Sequence, residues 1–120
     1  MQQYAGSAER CGIEVIAKAR RDITELATEA DRLIGLLSQR PRTVERDEEE
    51  KHIRHAYQSR ARDCAALFLA VLLETRIPSE EFAQSTTRFE EGLTEDRKRH
   101  GNAGVQVYLA ALHQINEMTR

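Results

Sequence analysis

Apolar residues in the first third of the chain recur at alternating spacings of three and four. They are Ile16, Ala19, Ile23, Leu26, Ala30, Leu33 and Leu37. This spacing keeps side chains on one face of an α-helix, and its repetition over several heptads is typical of helices that pack lengthwise, as in a coiled coil. Val15, Ala27 and Ile34 widen the apolar face, so we expect this helix, over about Ser7–Gln39, to contact more than one neighbour.

The remaining chain contains clear signals for the ends of helices. Proline disfavours helix at the residue before it, so Pro41 and Pro78 predict the ends of the first and second helices. Gly101 suits the left-handed position that closes the third helix. The residues predicted to cap helices two to four are Thr43, Ser79 and Asn102. The third and fourth helices are predicted over about Glu80–His100 and Ala103–Met118.

These boundaries predict two long and two short helices in one domain, over residues 1–120. We therefore expect an all-α antiparallel bundle of four helices. If Gly101 only kinks the last helix, the alternative is a three-helix bundle. We favour a reversal, because Gly101 and Asn102 together provide both a stop and a start signal.

Charge and cysteine usage exclude several function classes. The formal net charge is -2, so the whole molecule lacks the positive field that attracts nucleic acid or an anionic membrane. The N-terminus lacks the basic start and apolar stretch of a secretory signal, so we expect a cytoplasmic protein without a membrane partner. Cys11 and Cys64 show no metal-type spacing, and the sequence contains no complete motif for a cofactor, a metal or a catalytic group.

The segment from Cys64 to Leu73 is apolar on every face of a helix. Such a segment must be covered all round, either by three helices of its own chain or by a second subunit. We assign Phe68 and Val71 to the intrachain seam. The residues then predicted to form an intermolecular interface are Leu67, Leu69, Leu72 and Leu73. The leading hypothesis is a non-enzymatic protein-interaction module, either a homodimer or a small subunit of a larger assembly.

A second hypothesis is an accessory protein that binds nucleic acid through local basic patches. The candidate residues are Arg42, Arg54, Arg97, Lys98 and Arg99. Backbone amides at the start of the fourth helix, over Gly101–Gly104, can also hold an anion. Acidic residues alternate with many of these cations, which favours a salt-bridged, solvated surface.

A third hypothesis is a bundle that binds metal through carboxylates and histidine. Glu49 and His52 form one Glu-x-x-His element, the pair that di-iron bundles use, and a helical hairpin about Pro41 brings Glu25 and Glu29 to a similar height. The fold of those proteins needs a second Glu-x-x-His, and the sequence contains none. We therefore favour a solvated charged face for these residues.

Overall fold

A computed structural model describes the backbone of residues 2–119 and the side chains of residues 12–119. The chain forms α1 (Gln2–Ser38), α2 (Val44–Glu74), α3 (Ser79–Asp96) and α4 (Asn102–Thr119), and a short 3-10 helix (Arg97–Arg99) joins α3 to α4. The predicted all-α bundle of two long and two short helices is confirmed. No helix within these residues is long and apolar enough to cross a membrane.

α4 runs antiparallel to α1. Asp31, late in α1, contacts Gly104 at the start of α4, whereas Thr24 contacts Tyr108 one turn further along. α4 packs against both α1 and α2, and these three helices make the most extensive contacts in the molecule. The chain therefore reverses between α3 and α4, and the kinked three-helix alternative is not observed.

α3 runs parallel to α1 and packs mainly against it. Gly12 lies beside Ser85 early in α3, and Arg20 pairs with Asp96 at its end. Phe89 on α3 is fully buried. Its ring stacks on Phe68 of α2 with centroids 4.0 Å apart. α3 therefore closes one end of the core.

The predicted seam of α1 is largely confirmed. Ile23 and Ala30 are fully or almost fully buried, and Ala27 beside them is fully buried as well. Leu26 and Leu33, which the three-four pattern assigns to the seam, are only half-buried. The small side chain of Ala27 takes the central position, because α2 and α4 approach α1 from two sides and leave little room for leucine.

The helix ends follow the sequence in part. The Thr43 side chain accepts a hydrogen bond of 3.1 Å from the Arg46 amide, as predicted for an N-cap. Ser79 is not a cap, because α3 already begins there and the preceding Pro78 provides no capping side chain. Gly101 is not left-handed either: within the described backbone, the only non-glycine residue with positive φ is Arg76, at 51°, after α2, and no glycine has one.

Candidate functional site

The apolar segment of α2 has one buried side and one exposed side. Leu69 and Leu72 are 2% and 0% exposed and belong to the core of their own chain. Their assignment to an intermolecular surface is corrected, because they lie in a core cluster to which all four helices contribute. Leu67 and Leu73 are 60% and 66% exposed, so the outward side of this segment is open to solvent.

Leu67 lies at the edge of an apolar groove between α1 and α2, which we call the outer groove. Val71, assigned from sequence to the intrachain seam, is only half-buried and lines this groove. The floor includes Phe68 and Cys64, and the cavity measures about 120 Å³. The remaining lining residues, all on α1, are Val15, Lys18, Ala19 and Asp22. The groove is thus an apolar depression with charged residues on one wall.

The outer groove continues along the same two helices toward the loop between them. Leu26 and Tyr57 line this second section, where Arg60 lies over the Tyr57 ring, 5.0 Å from its centroid. The carboxylates that line it are Asp22, Glu25, Glu29 and Asp63. The outer groove therefore has an apolar section near Leu67 and an acidic section near Tyr57.

Cys64 lies where the two sections meet. Burial raises the pKa of its thiol above the ordinary 9.0, and the negative charges of Asp22 and Asp63 raise it further. A thiol with a raised pKa is a weak nucleophile at neutral pH, because the thiolate is the reactive form. Cys64 therefore contributes to the groove as a small apolar side chain. Cys11 lies outside the side chains that the structure describes.

The amides at the start of α4, a predicted anion site, are occupied by a carboxylate of the chain itself. Asp31 of α1 accepts hydrogen bonds from the backbone amides of Gly101 and Gly104, at 3.0 and 2.8 Å. A side chain on Gly104 would meet Asp31 Oδ2 at 2.5 Å. Glycine is therefore required here by a close approach, and Asp31 satisfies the exposed helix end.

A chain of hydrogen bonds leads from Asp31 into the core. His100 Nδ1 lies 3.3 Å from Asp31, and its Nε2 lies 3.1 Å from the hydroxyl of Tyr108. That hydroxyl lies 2.8 Å from Thr24 Oγ1. Burial raises the pKa of Tyr108, and its hydrogen bond with Thr24 opposes that rise. Because Tyr108 is fully buried, this network holds α4 to α1 and offers no hydroxyl to a substrate.

The basic residues proposed to bind nucleic acid lie in two places, the loop between α1 and α2 and the region around the start of α4. Asn102 accepts a hydrogen bond from Arg54 and draws it toward the start of α4, whereas Arg42 lies in the loop between α1 and α2. Arg97 and Arg99 lie on the 3-10 helix. Three of the five candidates also form ion pairs with carboxylates of the same chain. The pairs are Arg42 with Asp47, Arg54 with Glu50 and Lys98 with Glu95, at 3.6, 3.2 and 3.0 Å. Much of the positive charge is therefore matched locally.

The carboxylate and histidine residues of the metal hypothesis are engaged elsewhere or exposed. Glu49 pairs with Arg40 at 3.1 Å, Glu29 pairs with Arg32, and His52 faces solvent. Among the side chains of residues 12–119, no group of three histidine, cysteine or acidic residues is placed to hold a metal ion.

Comparison with known proteins adds no assignment: no family model matches the chain, and no curated protein or solved structure matches it either. The physical character of the outer groove is therefore the basis for a functional proposal.

Proposed function

We propose that this chain is a non-enzymatic helical-bundle module that binds another protein chain through the outer groove. The observation that carries the proposal is the exposure of Leu67 within a segment, Cys64 to Leu73, that contains no charged residue on any face. The four helices bury one side of this segment. Its other side keeps an apolar groove open to solvent, which costs free energy unless a partner covers it.

The outer groove has the layout of an interface centre. Fully desolvated apolar side chains in pockets dominate binding energy, while charged residues at the rim contribute mainly orientation and association rate. Leu67 and Val71 provide the apolar centre, and Lys18 and Asp22 lie on the rim, where they pair with each other at 2.8 Å. A stable interface buries about 800 Å² on each partner. The groove must therefore be its centre, and neighbouring surfaces of α1 and α2 must extend it.

Cross-linking from a single position tests the proposal. A photoreactive amino acid replaces Leu67, and the variant is expressed in the cells from which the chain comes. The matched control carries the same group at Leu36, which is also exposed but lies near the hairpin loop. We expect one defined adduct from position 67 and none from position 36. Equal cross-linking from both positions, or none from position 67, would contradict the proposal.

Sedimentation velocity then separates a homodimer from a complex with another protein. If a second copy fills the outer groove, the purified chain dimerises at micromolar concentration and Leu67→Glu makes it monomeric. If another protein fills the groove, the purified chain stays monomeric and the adduct from position 67 contains a different chain. Nucleic-acid binding is less well supported, since carboxylates of the same chain pair with three of the candidate cations.

A further inference from the structure

We propose that the occupant of the outer groove is a cationic amphipathic helix of a different protein. Its apolar stripe packs on the section near Leu67, and its lysine or arginine side chains reach the carboxylates of the section near Tyr57. This inference rests on the proposed function, because it names the partner of the same surface. It is carried by the length of the groove and by the distribution of charge along it.

The groove has the dimensions of a helix-binding site. It is lined by α2 residues from Tyr57 to Val71, a span of about 21 Å at 1.5 Å per residue, which matches about four turns of a partner helix. Two adjacent antiparallel helices leave a depression between their ridges, and a third helix can pack into it lengthwise. Apolar anchors at positions i, i+3 or i+4, and i+7 are the usual contribution of such a partner.

Four carboxylates line the acidic section, and Arg60 is the one cation among the described residues that line it, so the section keeps a net negative charge. The charge of Asp22 is matched by Lys18, and that of Glu29 by Arg32, which lowers the pKa of Glu29 through a hydrogen bond. In contrast, Glu25 and Asp63 make no ion pair with any side chain between residues 12 and 119. A partner with cations at this end supplies the missing counter-charge, and an acidic partner is repelled.

A second copy of the chain fits the groove poorly for the same reason. The outer groove of a second copy presents the same four carboxylates, and the cations that line it are Lys18 and Arg60. Two copies packed groove to groove would therefore bring like charges together, which disfavours that dimer.

A displayed helix library tests the charge preference directly. Each 18-residue member has leucines at three-four spacing, and its flanking positions are randomised among lysine, glutamate and glutamine. The bait is the intact chain. We expect the selected helices to be enriched in lysine at one end, and to bind a Leu67→Gln bait at least tenfold more weakly.

The selected helices are then measured against charge variants of the chain. Glu25→Gln combined with Asp63→Asn removes the unmatched charges, and we expect about fivefold weaker binding at low salt. The control is Glu80→Gln with Glu91→Gln, which removes the same charge from α3, and its affinity should be unchanged. An equal loss in both variants indicates non-specific attraction to an acidic protein and overturns the inference.

Other outcomes overturn the inference and leave the proposed function standing. One is that the library yields neutral or acidic helices whose binding is still weakened by Leu67→Gln. The other is that the purified chain forms a homodimer that a substitution at Leu67 disrupts. If no helix is selected and position 67 gives no cross-link in cells, both the inference and the proposed function are wrong.

Discussion

Helix α1 contributes to two surfaces, one that packs against α4 and one that lines the outer groove with α2. The polar groups of the first have partners in the same chain, whereas the second is open to solvent. Toward α4, polar groups that α1 presents are met by partners from the same chain, as Asp31 is met by the amides of Gly101 and Gly104. Toward the outside of α2, the apolar residues around Leu67 remain open, and the nearby charges of Glu25 and Asp63 lack partners among the described side chains. We call the first surface the inner seam.

This difference separates two features that stand out in the sequence, the glycine-rich start of α4 and the apolar segment of α2. The glycine-rich start of α4 looks like an anion site in sequence, but the amides of Gly101 and Gly104 already donate to Asp31, so contacts within the chain account for both glycines. The apolar segment of α2 is only half explained by packing, because Leu69 lies in the core while Leu67 does not. The functional surface therefore lies where intrachain contacts are incomplete.

The largest predicted effect is a difference in stability between substitutions on the buried and exposed sides of α2. Leu69→Glu places a charge in the core beside Phe68, and we expect it to lower the free energy of unfolding by about 4 kcal/mol or to prevent folding. Leu67→Glu, two residues away, should change it by less than about 0.5 kcal/mol. Urea unfolding followed by circular dichroism measures both. Similar losses in the two variants would show that the outer groove is closed by the chain itself.

A second prediction concerns close packing in the inner seam. Gly104→Ala places a Cβ 2.5 Å from Asp31 Oδ2 and 2.8 Å from His100 Cβ, so we expect a loss of about 1–3 kcal/mol in unfolding free energy. The control, Gly35→Ala in α1, meets nothing within 4 Å and should stabilise the helix by about 0.5–1 kcal/mol. Thermal and urea unfolding distinguish the two, and a neutral Gly104→Ala would refute the close approach.

A third prediction compares carboxylates on opposite sides of α1. Asp31→Ala removes the partner of two backbone amides at the start of α4, and we expect a loss of about 1–2 kcal/mol. Asp22→Ala removes an exposed pair with Lys18 and should cost less than about 0.5 kcal/mol. Hydrogen exchange should localise the Asp31→Ala effect to the first turn of α4. Uniform loss of protection along all helices would contradict this.

The smallest predicted effect is on the reactivity of Cys64, measured with Cys11→Ser so that one thiol remains. Its pKa is raised by burial, so the thiolate fraction at pH 8 is lower than for a thiol at the ordinary 9.0. We expect alkylation several times slower in the folded chain than in urea, with the rate still rising above about pH 10. A folded rate that levels off at about pH 10, as for a thiol of ordinary pKa, would show that the pKa is not raised.

Much of the fold is predictable because it depends on local spacing. The three-four pattern around Ile23 indicates the core face of α1, and Pro41 and Pro78 indicate where α1 and α2 end. The reversal before α4 is predicted for a partly wrong reason. Gly101 does not adopt a left-handed conformation, and its amide instead donates to Asp31, which lies 70 residues earlier. Sequence patterns do not report such a distant contact.

The candidate site is predictable only in part. Composition identifies the apolar segment that contains Leu67, but the side of α2 that faces the core depends on how the other three helices pack. Sequence analysis therefore groups Leu69 and Leu72 with Leu67. The hydrogen bonds from Asp31 through His100 to Tyr108 leave no sequence signal either, because each of these residues is also common on solvated helix surfaces. Three-dimensional placement is required to tell these roles apart.

Cys64 provides the most direct test of the claim that another protein covers the outer groove. Its alkylation rate in the Cys11→Ser chain is measured by mass spectrometry, in purified protein and in permeabilised source cells. We predict slower alkylation in cells, and recovery of the purified rate when Leu67→Gln is added. Equal rates in cells and in purified protein, with or without Leu67→Gln, would show that the groove is unoccupied and contradict the proposed function.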